Sequence, residues 1–256
     1  YGNFYLKMLD LFSGILVQDT NSFELLKPLI HEQKIKVIGD TRFDRVLTTA
    51  RNSQQYDWLS RLTNAPLIIA GSTWSKDHAL LSSLTTKFNN LNWMIVPHLV
   101  DKKSIEKCCL FFPTATTLSD LLNSKKTAVP FNHPTIIIID QIGYLRSLYQ
   151  YATICYVGGG FSEEGIHNVL EPAAFAKPVI WGPHDTKYLE AKGLLESGGG
   201  FRVQNEMELL DTLHTLLQDP TVYENASTHA VNFIQNNAGA TQKMIRYIQE
   251  NRLLTN

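Results

Sequence analysis

The stretch VGGGFSEEGIHNVLEPAAFAKPVIWGPH, from Val157 to His184, decides the fold that the sequence predicts. A β-branched run, Thr153 to Val157, ends at three consecutive glycines, and the apolar spacing then turns helical from His167. A second apolar run ends at Gly182, Pro183 and His184. A strand, a loop, a helix and another strand in this order are typical of a parallel α/β sheet.

Strand-like runs recur along the rest of the chain, and most are followed by a helical pattern. They lie at residues 15–17, 34–38, 67–70, 93–96, 135–139, 153–157, 179–181 and 200–203. Because such strands pair in parallel through right-handed crossovers, we predict an α/β fold with a Rossmann-like doubly wound parallel sheet. Cys108 to Phe112 is interpreted as a further short strand, and residues 114–127 fit no element clearly.

Composition excludes several classes of protein. Lys plus Arg (23) and Asp plus Glu (24) nearly cancel, so we expect no nucleic-acid partner. The three cysteines form neither a metal-ligand spacing nor a disulfide framework, which favours a reducing cytosolic setting. No apolar run has the length of a bilayer crossing, and we expect no signal peptide ahead of the first strand.

The opening of the sequence is an amphipathic helical pattern without an initiator Met. We therefore expect a soluble fragment of a longer protein, with one domain over residues 1–256. The segment 1–14 is expected to be a helix that packs between domains, although an amphipathic helix can also contact a membrane.

Polar residues and glycines follow the predicted strands, and parallel strands bring their carboxyl ends to one rim, where ligands bind. The candidates at that rim are Gly71, Ser72, Thr73, Pro97, His98, Asp140, Gly143, Gly158, Gly159, Gly160, Pro183 and His184. The glycine run would let a ligand lie against the backbone, and the first amides of the next helix suit a phosphate. Glu171, one turn into that helix, could accept both hydroxyls of a ribose.

Each of these features also has a structural interpretation. Glycines often follow strands in ordinary connections, and a Glu in a first helical turn can simply complement the helix dipole. Asp140 is as well suited to capping the next helix as to orienting a ligand. Ser72 and Thr73 lie in no G-x-S-x-G turn, so we expect them to cap a helix or bond a phosphate or sugar. We expect no metal, because His167 and His184 follow no ligand spacing.

Several motifs, in order over nearly the whole chain, resemble the 3-deoxy-D-manno-octulosonic acid (Kdo) transferases, which are glycosyltransferases of the two-domain GT-B type. The motifs are GDTRFD (Gly39 to Asp44), AGSTW (Ala70 to Trp74), DQIGYLRSLY (Asp140 to Tyr149), VGGG (Val157 to Gly160), HNVLEPAA (His167 to Ala174) and KPVIWGPH (Lys177 to His184).

The resemblance implies that the chain is the C-terminal, donor-binding half of such an enzyme. The donor would be CMP-Kdo and the acceptor a lipid A precursor of lipopolysaccharide, with inverting transfer that needs no metal and no cofactor. Transfer would occur at the cytoplasmic face of the inner membrane of a Gram-negative bacterium, where the whole protein would be peripheral or N-terminally anchored. The acceptor domain, with its catalytic base and membrane contact, would be absent from this chain.

The resemblance also implies which residues contact the donor. The contacts with CMP would be made by Pro97, His98, Ile142, Gly143, Tyr144, Asn168, Val169, Leu170 and Glu171. Further donor contacts could come from Ser72, Thr73, Gly158, Gly159, Gly160, His167 and Lys187. The family more often has Arg in place of His98, Glu in place of Tyr144 and Gly in place of Ile166.

No residue of the chain is a persuasive catalytic base, so we expect weak binding of CMP or the donor and no turnover by the chain alone. Two alternatives stay open. One is another GT-B sugar-nucleotide enzyme, such as a UDP-sugar transferase or a UDP-GlcNAc 2-epimerase. The other is a non-catalytic nucleotide-binding module.

Overall fold

The structure, a computed structural model, describes residues 2–123 and 131–253, without the side chain of Asn3. These residues form two compact units, one from residues 2–48 and 234–253 and one from residues 49–233. The strands are β1 (Ile15–Val17), β2 (Ile35–Val37), β3 (Leu67–Thr73), β4 (Asn92–Pro97), β5 (Thr116–Thr117), β6 (Ile136–Ile138), β7 (Ile154–Val157), β8 (Val179–Trp181) and β9 (Gly200–Arg202). The α-helices are α1 (Gly2–Asp10), α2 (Thr20–Leu26), α3 (Thr41–Arg51), α4 (Ser75–Lys87), α5 (Lys102–Phe111), α6 (Leu118–Asn123), α7 (Leu145–Leu148), α8 (Leu170–Ala173), α9 (Leu189–Ser197), α10 (Glu206–Gln218), α11 (Pro220–Asn237) and α12 (Ala240–Glu250).

The first unit joins the two ends of the described chain. Its strands β1 and β2 pair in parallel, and Val17, Ile30 and Ile35 form its small core. The carboxylate of Asp44 accepts hydrogen bonds from the backbone N–H groups of Gly239, at 2.7 Å, and Thr241, at 3.0 Å. Asp44 therefore caps α12, so the last residue of the GDTRFD motif has a structural role.

The second unit is built on a parallel sheet with the strand order β5-β6-β4-β3-β7-β8-β9. From β3 the chain steps to β4 and then to β5 at the edge, and β6 lies between those two strands. The chain then returns with β7 to the other side of β3. This reversal next to β3 is a topological switch point, outside which ligands bind in such sheets. The predicted doubly wound parallel sheet is confirmed.

Both faces of the sheet are buried. Along β3, Ile68 and Ala70 join the apolar cluster on one face, and Leu67 and Ile69 join the cluster on the other. Because successive side chains of a strand point to opposite faces, an uninterrupted apolar run marks a strand that is covered on both sides. This explains why the sequence pattern located the central strands.

The predicted short strand at Cys108 to Phe112 is wrong. Cys108 lies within helix α5 and Phe112 caps the end of that helix. The two side chains are four residues apart, so a helix places both on one face, and both are buried in the same cluster. Of the unassigned segment 114–127, the structure assigns Thr116–Thr117 to β5 and Leu118–Asn123 to α6, and residues 124–127 lie outside the described residues.

Helix α9 was not predicted, because Gly193 interrupts its apolar pattern. A Cβ atom at Gly193 would lie 2.7 Å from the ring of Phe233. The glycine is therefore a packing requirement, although it lowers the intrinsic helix propensity of this segment.

Candidate functional site

The switch point lies between the carboxyl ends of β3 and β7, where the two backbones are in direct contact. The N–H of Gly158 donates to the carbonyl oxygen of Gly71 at 2.9 Å. A Cβ atom on Gly158 would lie 2.5 Å from the carbonyl oxygen of Ser72, which has a positive φ of 52°. Only glycine lets the strand ends approach so closely.

The next two glycines close the loop after β7 against its surroundings. Gly159 has a φ of +90°, and a Cβ atom there would clash with the carbonyl oxygen of Gly165. A Cβ atom at Gly160 would lie 2.6 Å from the backbone nitrogen of Gly182, just beyond β8. The three glycines thus have a packing role, and their contact with a donor remains a prediction.

Asp77, in the first turn of α4, holds this loop in place. Its buried carboxylate accepts hydrogen bonds from the N–H of Trp74 at 2.7 Å, the N–H of Gly159 at 2.9 Å and the hydroxyl of Tyr156 at 2.6 Å. Burial raises the pKa of Asp77, and the three hydrogen bonds oppose that rise. The sequence analysis missed Asp77, because the N-cap three residues before it is Trp74, which is not one of the residue types that mark a helix start.

Three aromatic side chains stack beside the switch point. The ring centroids of Trp74 and His98 are 4.6 Å apart, and those of His98 and His167 are 4.3 Å apart, with interplanar angles of 22° and 17°. The indole Nε1 of Trp74 donates to Nε2 of His167 at 2.9 Å. The predicted residues His98 and His167 are therefore brought together by a tryptophan that the prediction did not include.

Thr73 and Pro97 line a cavity of about 430 Å³ that adjoins this stack. The hydroxyl of Thr73 lies 2.9 Å from Nε2 of His78, and both residues are buried. Burial, with a smaller effect of Lys107, lowers the pKa of His78 to about 4. The side chain of Thr73 is thus bound within the protein, whereas His98 is exposed.

The helix predicted to start at His167 starts three residues later. Helix α8 is one turn, Leu170–Ala173, and the side chain of Asn168 accepts a hydrogen bond from the N–H of Leu170 at 3.0 Å. Glu171 is therefore the second residue of α8, not one turn into it. So short a helix has a weak dipole, and the predicted phosphate contact with its first amides loses that support.

Glu171 is half-buried, whereas the side chains of the two residues before it, Val169 and Leu170, are fully buried. Val169 and Leu170 could therefore contact a ligand only through their backbone. Burial raises the pKa of Tyr149 well above its usual value, and the charges of Cys155 and Glu171 add to this rise. The carboxyl group of Glu171 is thus close enough to Tyr149 to affect its pKa.

Four other predicted residues are not joined to the aromatic stack. Ile142 is 86% exposed and Gly143 has a φ of +96°. The ring of Tyr144 stacks on Tyr56 at 5.1 Å and lines a different cavity of about 560 Å³. Lys187 is exposed and, within the described residues, forms no hydrogen bond or ion pair with another predicted residue.

Asp140 and His184 are involved in internal contacts. The carboxylate of Asp140 accepts from the N–H of Ser119 at 3.0 Å, so it caps α6, an earlier helix than the one considered from the sequence. The backbone N–H of His184 donates to the carbonyl oxygen of Gly160 at 2.9 Å, and Nδ1 of His184 lies 2.7 Å from the carbonyl oxygen of Ser162. His184 therefore supports the glycine loop.

Residues 2–123 and 131–253 contain no cluster of three or more His, Cys, Asp or Glu side chains arranged to hold a metal ion. None of the helices in this part of the chain combines the length and apolar character that a membrane crossing requires.

Solved structures share this fold. The C-terminal CMP-Kdo binding domain of WaaA from Acinetobacter baumannii aligns with a TM-score of 0.58 and 20% identity, over 75% of this chain and 99% of that domain. A UDP-N-acetylglucosamine 2-epimerase aligns with a TM-score of 0.62 and 15% identity, over 93% of this chain and 58% of that protein. The fold is that of the Rossmann-like C-terminal domain of a GT-B glycosyltransferase.

No protein-family model matches the chain. Individual relatives in sequence nevertheless identify its family. A 3-deoxy-D-manno-octulosonic acid transferase of Chlamydia pneumoniae is 30% identical over 222 residues, which are 82% of this chain and 49% of that protein. The chain belongs to the family of 3-deoxy-D-manno-octulosonic acid transferases, and it spans about half the length of the curated relatives it matches.

Proposed function

We propose that this chain is the donor-binding half of an enzyme that transfers Kdo from CMP-Kdo to a lipid A precursor in lipopolysaccharide core biosynthesis. The observation that carries the proposal is the position of the segment Asn168 to Glu171. It directly follows the loop that closes the switch point between β3 and β7, where ligands bind in sheets of this type.

In this proposal Glu171 accepts hydrogen bonds from the ribose hydroxyls of CMP. Pro97 and His98, at the end of β4, and the backbone around Gly143 contact the rest of the nucleotide. A half-buried carboxylate binds hydroxyl donors more strongly than a neutral acceptor does, because the hydrogen bonds are charge-assisted. The exposed ring of His98 is available to the ligand.

Sugar transfer requires a base that activates the acceptor hydroxyl and groups that stabilise the leaving phosphate. We propose that this chain supplies the second function through His167, Lys187 and the backbone near Asn168, so that transfer proceeds with inversion and without a metal. The base, the acceptor site and the membrane contact would belong to a preceding half. The chain alone would then bind CMP-Kdo weakly without turnover, and measurable Kdo transfer by it would contradict this.

We further propose that residues 1–256 act as one donor-binding domain, with the segment 1–14 packed against the preceding half. Phe4, Leu11 and Phe12 are 69%, 85% and 51% exposed, which gives this segment an apolar surface. The whole enzyme would then act at the cytoplasmic face of an inner membrane, which it reaches through the preceding half.

The test is equilibrium binding of CMP to the wild-type chain and to Glu171→Ala. Loss of a charge-assisted ribose contact should cost about 1.5–3 kcal/mol, or roughly tenfold or more in affinity. Glu224→Ala is the control, because Glu224 is an exposed carboxylate elsewhere in the second unit. An unchanged affinity in Glu171→Ala would favour a nucleotide-binding module that does not use this carboxylate.

A second candidate is a UDP-sugar enzyme of the same architecture. It is favoured by the departures from the family pattern at His98 and Tyr144, and by the packing of Tyr144 against Tyr56. Competition between CMP and UDP separates the two candidates, and tighter binding of UDP would support the second.

A further inference from the structure

The hydrogen bond between Trp74 and His167 determines where the imidazole carries its proton. An indole nitrogen is only a donor, so Nε2 of His167, 2.9 Å from Nε1 of Trp74, must be the acceptor. A neutral imidazole has one protonated nitrogen. The proton of His167 therefore lies on Nδ1.

Both partners of this hydrogen bond are held by other contacts. The backbone N–H of Trp74 donates to the buried carboxylate of Asp77, and the backbone N–H of His167 donates to the carbonyl oxygen of Gly158 at 3.3 Å. The ring of His98 stacks on both Trp74 and His167. Rotation of His167 to a different hydrogen-bonding arrangement would break the indole bond and this stacking.

The protonated nitrogen of His167 is open to a ligand. Within the described residues Nδ1 has no hydrogen-bond partner, and it is not among the buried side-chain atoms that lack one. Burial, with a smaller effect of His98, lowers the pKa of His167, which favours the neutral ring. His167 thus presents a neutral N–H donor at the rim.

We propose that Trp74 is a positioning residue that fixes His167 in the Nδ1–H tautomer, so that His167 donates a hydrogen bond to an anionic oxygen of the donor phosphate. This inference rests on the proposed function, since it takes the rim as the nucleotide site. It assigns to Trp74 a role that acts only through His167.

The tautomer is measured without any ligand, from the ¹⁵N chemical shifts of the histidine rings in the wild-type chain. We expect Nδ1–H for His167 in the wild type and an increased Nε2–H population in Trp74→Phe, which keeps an aromatic ring beside His98. Trp58→Phe is the matched control, because the buried Nε1 of Trp58 has no partner among the described residues. A wild-type His167 in the Nε2–H form, or an unchanged tautomer in Trp74→Phe, would overturn the proposal.

The phosphate contact is measured by comparing CMP with cytidine. Trp74→Phe and His167→Gln should each lower the affinity for CMP by about tenfold. The affinity for cytidine should fall much less, because cytidine lacks the phosphate. His167→Asn keeps an N–H donor near the position of Nδ1, so it should lose less CMP affinity than His167→Gln. Equal losses for CMP and cytidine would overturn the phosphate contact while leaving the proposed function intact. Failure of the wild type to bind either ligand would overturn both.

Discussion

Replacement of Asp77 by Ala should destabilise the protein strongly. The substitution leaves three donors without their acceptor: the N–H groups of Trp74 and Gly159 and the hydroxyl of Tyr156. A buried donor without a partner costs about 1–3 kcal/mol. Removal of the buried charge and rotation of the Tyr156 hydroxyl offset part of this, so we expect a loss of about 3–5 kcal/mol in the free energy of unfolding.

The assay is urea unfolding followed by circular dichroism, with the free energy obtained by linear extrapolation. Asp77→Asn retains an oxygen that can face both backbone N–H groups, so its loss should be about 1–2 kcal/mol. Asp211→Ala, at an exposed position of α10, is the control and should change stability by less than about 0.5 kcal/mol. A loss below about 1 kcal/mol in Asp77→Ala would refute the view that this carboxylate holds the glycine loop.

Three further substitutions test other contacts. Because burial lowers the pKa of His78 from 6.5 to about 4, the unfolded chain binds more protons between these pH values. The free energy of unfolding should therefore decrease by on the order of 3 kcal/mol as the pH falls from about 6.5 to 4. Urea titrations at several pH values should show a smaller decrease for His78→Gln. Gly160→Ala should lower the thermal unfolding midpoint, at a cost of about 1–3 kcal/mol, since its Cβ would meet the backbone of Gly182; an unchanged midpoint would contradict this. Asp44→Ala should cost about 1–2 kcal/mol and accelerate amide hydrogen exchange in the first turn of α12, whereas equal exchange rates would show that the cap is dispensable.

The central sheet could be predicted from sequence because its signal is local. The apolar run at Leu67 to Ala70 is covered on both faces, and a run of this kind marks a buried parallel strand wherever it occurs. The same signal led to a wrong prediction of a strand at Cys108 to Phe112, because a short apolar run can also be the buried side of a helix. Length and spacing of the flanking residues are then needed to decide between strand and helix.

The candidate site was predictable only in part, because many of its contacts join distant residues. Asp77 binds Tyr156 and Gly159, which are 79 and 82 positions further along the chain, and no local pattern contains such pairs. Trp74 and His167 were both within quoted motifs, yet their 93-residue separation concealed the hydrogen bond between them. The late start of α8 depends on the side chain of Asn168, a competing local interaction that apolar spacing does not report.

The first unit is discontinuous, since its core lies near the beginning of the sequence and α12 comes from the last residues. A ribosome therefore releases all of residues 49–233 before the helix capped by Asp44 has been synthesised. We expect the parallel sheet of the second unit to form first on the nascent chain, with the first unit left incomplete until α12 has been synthesised.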